Sequence, residues 1–401
     1  MIPPSGEKLP TPLSGTQRVL VVDDNPLNCD LLLRRLRRMG LERVDCVDNG
    51  EAALALLRVH AYDLVLLDLM MPVLDGYGVL TTLRAEGQLP ELPVLMVSAA
   101  DEMAGVIRCI ELGAQDYLTK PINAPLLEAR VRATLERKQL RDLMTAQLER
   151  TQRDLLAARR LQLSMVPPDQ PEPGPHGPLC VAARLKPARE IGGDLIDHFP
   201  LSDGHYLLAL GDVSGKGAEA ALCMARTVSL LRATARQHWR AGQDPAQAVA
   251  SILAETNEAL AEANDSAQFV TLFLGIADLH ADRLSYACAG HPAPYLCTPG
   301  SVQMLGVSPS LPLGVMPGYG IRVETVDVPP QARLLAYSDG VTEAFDSGGT
   351  AFGDARLAQL LTGCASQLPH HLVASVADGI HAFAAGAEQS DDIALLAWMR
   401  P

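Results

Sequence analysis

The hydrophobic pattern changes texture twice along the chain, and its three textures predict three kinds of structure. Over residues 18 to 122, short apolar runs alternate with helical patterns. Arg18 to Val22 is a β-branched run, after which Leu27, Leu31, Leu32 and Leu36 recur at helical spacing. Leu64 to Leu67 and Val94 to Val97 are unbroken apolar runs, the pattern of strands covered on both faces. This alternation predicts a parallel sheet built from βαβ units. From Leu126 to Met165 there is no Pro or Gly, and charged residues interleave with Val131, Leu135, Leu140, Met144, Leu148 and Leu155. The segment predicts one long helix, too sparsely apolar to be buried in a bundle. Its heptads are imperfect, so a solvated spacer and a dimerising coiled coil both remain open.

Six prolines between Pro167 and Pro178 end that helix. Beyond them lie β-rich runs at Cys180–Leu185, Tyr206–Leu210, Phe269–Ile276, Leu284–Ala289, Arg333–Ala336 and Ile393–Trp398. Helical stretches fall near residues 218 to 240 and 245 to 263. Such a pattern predicts sheets packed on each other with helices outside. The chain therefore divides into a loose tail (1–17), an α/β domain (18–125), a helical linker (126–165), a Pro-rich connector (166–178) and an α+β domain (179–401).

Composition narrows the function. At 401 residues the chain exceeds one ordinary core, and 48% hydrophobic content supports more than one. The net charge of −14 argues against a nucleic-acid partner, since phosphate backbones are held by basic patches. The apolar runs are too short for a membrane span, and the Pro-, Gly- and Ser-rich start lacks a basic apolar leader. A cytoplasmic protein without a membrane partner is expected. Eight cysteines show no C-x-x-C or zinc spacing and are expected to be reduced thiols. Cys29 and Arg35 fit the C-x5-R loop of cysteine phosphatases, but they lie in a predicted helix, Leu27 to Met39, where no phosphate-cradling loop forms.

Two sets of aspartates carry the candidate chemistry. Asp23 and Asp24 follow one predicted strand and Asp68 ends another, while Ser98 and Lys120 end two more. In a parallel sheet the C-terminal strand ends line the ligand crevice, so these groups should converge. Clustered carboxylates suit a hard cation such as magnesium. Asp68 could take a phosphoryl group on its carboxylate, with the Ser98 hydroxyl and Lys120 ammonium meeting the phosphoryl oxygens. The segments Val-Val-Asp-Asp-Asn (21–25), Asp-Leu-Met-Met-Pro-Val-Leu-Asp-Gly (68–76), Val-Ser-Ala (97–99) and Gly-Ala-Gln-Asp-Tyr-Leu-Thr-Lys-Pro (113–121) resemble a two-component response-regulator receiver. The resemblance covers residues 18 to about 125 and implies a flavodoxin-like, doubly wound fold. It further implies phosphorylation of Asp68, Mg2+ held by Asp24, Asp68 and the Met70 carbonyl beside Asp23, and Ser98 with Tyr117 as a switch pair. A sensor histidine kinase or phosphotransfer protein would be the partner.

The second set lies in Ile-Gly-Gly-Asp-Leu-Ile-Asp (191–197), Gly-Asp-Val-Ser-Gly-Lys-Gly (211–217), Tyr-Ser-Asp-Gly-Val-Thr-Glu (337–343) and Ser-Asp-Asp-Ile-Ala (390–394). Each places an aspartate beside small residues at a strand edge. Carboxylate ligands without His or Cys favour magnesium or manganese over zinc. Gly211 to Lys216 is no Walker loop, which would need Gly at Leu210 and Ser or Thr at Gly217. With Phe-Val-Thr-Leu-Phe-Leu-Gly (269–275), Ala-Gly-His-Pro-Ala-Pro (289–294) and Leu-Pro-Leu-Gly (311–314), these motifs resemble the PPM serine/threonine phosphatases in their SpoIIE/RsbU-like branch. The resemblance implies a β-sandwich flanked by helices and two Mn2+ or Mg2+ ions. Asp212 would bridge both ions and hold the catalytic water, Asp194 and the Val213 carbonyl would bind one ion, and Asp339 and Asp391 the other. Asp392 is the poorer ligand of its pair, Ser214 stands where eukaryotic relatives have a histidine, and His291 reads as structural. The substrate would be a phosphoprotein, in this branch a STAS-domain antagonist of an anti-sigma factor. The chain would act as a homodimer through its linker helix. A phosphorylation-gated adaptor with a catalytically weak phosphatase-like half is the competing reading.

Overall fold

The computed structural model describes residues 16–99, 103–169, 179–262, 264 and 267–399, in two compact units that meet in sequence at Thr151 and Gln152. Most of the expected tail and residues 170–178 of the expected connector lie outside the described residues.

The first unit alternates β1 (Arg18–Val22), α1 (Pro26–Arg38), β2 (Arg43–Val47), α2 (Gly50–Val59), β3 (Leu64–Asp68), α3 (Gly76–Ala85), β4 (Val94–Ala99), α4 (Met103–Leu112) and β5 (Asp116–Lys120), then enters α5 (Ala124–Met165). All strand pairs are parallel, in the order β2-β1-β3-β4-β5. This is the flavodoxin-like winding. Every residue of β3 is buried because helices cover both faces of the sheet. Local chemistry sets the helix starts. Asn25, Asn49 and Asp75 each accept a backbone N–H of the first turn, and Pro26 occupies a position whose N–H has no helical partner. The helical expectation for Leu27 to Met39 holds, so Cys29 and Arg35 form no phosphate loop.

The linker expectation needs correcting at its first turns. The helix is continuous over 42 residues, but Leu127, Val131 and Leu135 are fully buried in the core of the first unit. The start of this helix is therefore the fifth helix of the α/β domain. Only the stretch after about Arg141 is exposed on nearly every side. The expectation of reduced thiols also fails at one pair, because Cys29 on α1 and Cys46 on β2 form a disulfide. The remaining six cysteines form no disulfide among the described residues.

The second unit runs β6 (Cys180–Lys186), β7 (Leu195–Pro200), β8 (His205–Val213), α6 (Ala218–His238), α7 (Pro245–Glu262), β9 (Val270–Asp278), β10 (Arg283–Ala289), β11 (Tyr295–Thr298), β12 (Ser301–Met304), β13 (Glu324–Asp327), β14 (Arg333–Tyr337), α8 (Asp339–Thr342), α9 (Gly353–Cys364), α10 (Pro369–Ala384) and β15 (Ile393–Met399). Two antiparallel sheets, β13-β10-β9-β8-β7 and β12-β11-β14-β15-β6, face each other. Phe273, Tyr206, Leu334 and Trp398 fill the space between them. α6 and α7 cover the outer face of one sheet, and α9 and α10 that of the other. The expected sandwich flanked by helices is present. The hydrophobic pattern did not predict β7, the short β11 to β13, or the outer pair α9 and α10.

Candidate functional site

In the first unit the strand ends converge as expected. Ligand oxygens of Asp23, Asp24 and Asp68 lie within 4.8 Å of one another, an arrangement that could hold a cation. Lys120 Nζ reaches both neighbours, donating to Asp68 Oδ2 at 2.6 Å and lying 3.0 Å from Asp23 Oδ2. Asn28 and the backbone N–H of Asn25 donate to Asp23 Oδ1, each at 3.0 Å, which fixes that carboxylate. Burial holds the Asp68 carboxyl above its ordinary range, and Lys120 opposes the shift. Ser98 Oγ is buried with no hydrogen-bond partner among the described residues. A buried orphan hydroxyl beside a compensated carboxylate fits an incoming oxygen-rich group. Met70 is exposed just past Asp68, Tyr117 is half-buried on β5, and the Lys120–Pro121 peptide bond is cis.

The second unit brings its four aspartates from four strand ends. Asp194 precedes β7, Asp212 lies near the end of β8, Asp339 follows β14, and Asp391 precedes β15. Burial, then Asp212 and Asp392, push the Asp194 carboxyl well up. Burial, then Asp339 and Asp391, push Asp212 up to about 7. Asp339 moves the same way through burial and Asp391. Crowded carboxylates with so little cationic relief are the condition a divalent ion resolves. Lys216, 3.1 Å from Asp391 Oδ2, is the ammonium paired with one of them among the described residues. The backbone closes around this cluster only because of glycine. A Cβ on Gly193 would lie 2.7 Å from the Val213 carbonyl oxygen, and one on Gly340 would lie 1.9 Å from that of Asp392. The donor set, carboxylates plus the Val213 carbonyl, suits hard divalent cations in its chemistry, but among the described residues the receiver acids alone bring three ligand oxygens within 4.8 Å of one another.

Several neighbours position these acids. Asp392 accepts the N–H groups of Ala188 and Gly193 at 2.8 and 2.7 Å, so both its oxygens are engaged in holding the loop. Ser338 Oγ donates to Asp194 Oδ2 at 2.8 Å and accepts the Ala394 N–H. Gln162, near the end of α5 and almost fully buried, donates to the Gly192 carbonyl at 2.7 Å and accepts the Gly192 N–H at 3.1 Å. Ser338 lies inside a motif read for its aspartate, and Gln162 in a helix without any signal of its own. Sequence reasoning missed both. Ser214 Oγ accepts the Phe269 N–H, and His291 is buried against Thr271 with its pKa lowered to about 3. His291 is thus neutral, which matches its structural reading.

A parallel sheet with acids at its strand ends and a helix-flanked sandwich with acids at its own define two domains: a receiver and a PP2C-type domain. Residues 19–132 match the response regulator receiver domain family, and residues 202–401 match the Stage II sporulation protein E (SpoIIE) family. The chain joins a receiver domain to a SpoIIE-family domain. Among curated proteins, the probable transcriptional regulator ycf27 of Cyanophora paradoxa is 42% identical over 129 residues, covering 32% of this chain and 52% of that protein. Protein IcfG of Synechocystis is 29% identical over 201 residues, covering 45% of this chain and 32% of IcfG. The chain thus spans about half the length, or less, of the curated relatives it matches. Among solved structures, the SiaA-PP2C domain of Pseudomonas aeruginosa aligns with TM-score 0.53 at 22% identity, over 63% of this chain and 98% of that one, a likeness of fold.

Proposed function

We propose that this chain is a response regulator with a protein serine/threonine phosphatase output. The observation that carries the reading is the crowding of Asp194, Asp212 and Asp339, only partly relieved, at strand ends of a PP2C-type sandwich. These three, with Asp391 and the Val213 carbonyl, would hold two divalent cations. When bound, such ions supply Lewis-acid charge and an acidified water for attack on phosphorus. The protein's part is to hold the acids: Ser338 orients Asp194, Asp392 anchors the Gly193 backbone, and Lys216 steadies Asp391. In the receiver, the Asp68 carboxylate would attack a phosphoryl group from a histidine kinase or phosphotransfer protein. The Lys120 ammonium and the orphan Ser98 hydroxyl would meet the phosphoryl oxygens, beside a Mg2+ held by Asp24, Asp68 and the Met70 carbonyl. Tyr117 would pair with Ser98 as the switch.

The substrate would be a phosphoserine or phosphothreonine regulator, a STAS-domain antagonist of an anti-sigma factor, in the cytoplasm. No helix among the described residues is long and apolar enough to cross a membrane. Dimerisation would run along α5, where Leu140, Met144 and Leu148 leave an exposed apolar row at i, i+4 spacing. Its last turns touch the Gly192 loop through Gln162, a physical route from helix to acids.

The test is manganese-dependent turnover of p-nitrophenyl phosphate by the full chain, before and after acetyl phosphate treatment. We expect turnover that vanishes in Asp212→Ala and Asp339→Ala and that changes on treatment in the wild type but not in Asp68→Asn. Absence of any metal-dependent turnover would favour the adaptor reading. Equal rates before and after treatment would remove the regulatory half.

A further inference from the structure

A second cavity shares a wall with the acid cluster. It measures about 300 Å³ and lies between β6, α10 and the segment from Glu388 to Ser390. That volume is at the small end for ligand sites and suits one or two side chains rather than a cofactor. Its floor is apolar, with Ala344, Ala377, Ile380 and Ile393. Two of its lining residues, Gly340 and Ser390, are the chain neighbours of Asp339 and Asp391. The separating segment is pinned. Gln389 donates to the carbonyls of Lys186 and Asp391 at 2.9 and 2.7 Å, and Lys216 to that of Ser390 at 3.0 Å.

The rim is polarised. Arg184 and Lys186 project from alternate positions of β6, an edge strand, both exposed and neither in an ion pair among the described residues. Asp378 and Glu388 stand on the other side, on α10 and just after it. Two cations on one face of the strand make this side of the rim locally positive in a chain of net charge −14. A carboxylate of a bound segment would meet them on the β6 side and be repelled from the α10 side.

We propose that this cavity seats an apolar side chain of the phosphoprotein substrate, with an acidic residue next to it against Arg184 and Lys186. The phosphorylated side chain then lies over the neighbouring acids. An extended chain advances roughly 3.3 Å per residue, so a cavity one residue removed from two of those acids falls within reach of residues flanking the phosphate. The proposal rests on the phosphatase reading and adds a recognition element to it: an apolar anchor beside a charge-matched rim.

The test uses the full chain with manganese and two probes: p-nitrophenyl phosphate, and a panel of phosphoserine peptides varying Leu against Gly and Glu against Lys at each position near the phosphoserine. We expect one position at which Leu beside Glu raises kcat/KM about tenfold or more, as burial of one leucine side chain gives. Ala377→Trp, which fills the cavity, should abolish that preference while p-nitrophenyl phosphate turnover persists. Arg184→Glu with Lys186→Glu, on the surface, should transfer the preference to Lys. Turnover of p-nitrophenyl phosphate without any positional preference overturns the proposal alone. Ala377→Trp that retains the preference but loses self-association by sedimentation overturns it in favour of a second copy as occupant. No turnover of p-nitrophenyl phosphate by the wild type removes the phosphatase reading and the proposal with it.

Discussion

The two acid clusters use the same side chain and are balanced in opposite ways. In the receiver, one ammonium sits between the carboxylates: Lys120 lies 2.6 Å from Asp68 and 3.0 Å from Asp23. In the second unit, Asp194 is pushed up by burial and by Asp212, and Asp212 by burial, Asp339 and Asp391, with no ammonium on either among the described residues. An internally compensated carboxylate can stay ionised and act as a nucleophile. An uncompensated group of carboxylates instead waits for external charge. On the proposed function, the first site would receive phosphate and the second would hold metal.

The largest expected effects break this comparison by removing one charge from each site. Asp194→Asn should lower manganese-dependent turnover by about 10³-fold, since metal stabilisation of the reaction is worth several kcal/mol. Lys120→Met should leave that turnover intact when the receiver is unphosphorylated. Instead it should destabilise the protein by about 3 kcal/mol without added metal, because Asp23 and Asp68 are left buried without their partner. Kinetics and urea melts of the two variants give the crossed pattern. If both variants lose activity alike, or neither changes stability, the two sites are not balanced differently.

A smaller effect is a pH dependence specific to the second site. The Asp212 carboxyl is raised from 3.8 to about 7 in the folded protein. A raised carboxyl favours the folded state while protonated, so its contribution is complete below about pH 4 and lost as pH rises through about 7. In EDTA, the melting temperature of the wild type should fall across that window relative to Asp212→Asn. Manganese should erase the fall, because the cation replaces the proton. A wild-type minus variant difference that is flat or rising in EDTA would show that the crowding is relieved by something else.

The receiver was almost wholly legible because its functional groups lie at ends of continuous apolar strands, where sequence order and spatial convergence coincide. Asp23, Asp68 and Lys120 meet for that reason alone. The four acids of the second site were legible too, since each sits with small residues at a strand edge. The groups holding those acids were not. Gln162 is one polar residue among many on α5, and only the fold shows that it is buried against Gly192. The Cys29–Cys46 bridge joins a helix to a strand across 17 residues, a separation that carries no signal. α10 did carry one, Leu372, Val373, Val376 and Ile380 at helical spacing, but its alanines blurred it.

The smallest effect would sharpen the comparison by asking whether the two clusters communicate. Gln162 satisfies both backbone groups of Gly192, two residues before Asp194. Gln162→Ala would leave a buried N–H and carbonyl unpaired in the loop that presents Asp194, a penalty of about 1–3 kcal/mol at one place. Spent locally on the geometry of that aspartate, a penalty near the low end lowers kcat/KM for p-nitrophenyl phosphate about tenfold. Gln162→Glu keeps the acceptor for Gly192 N–H but sets a carboxylate against the carbonyl, so it should not rescue. A helix that merely packs would give a lower melting temperature with the rate per folded molecule unchanged. If α5 carries the receiver's state to the acids, the response to Asp68 phosphorylation should disappear together with the rate. A variant that loses basal rate but keeps the full fold-change on phosphorylation would place the route between the two clusters somewhere other than Gln162.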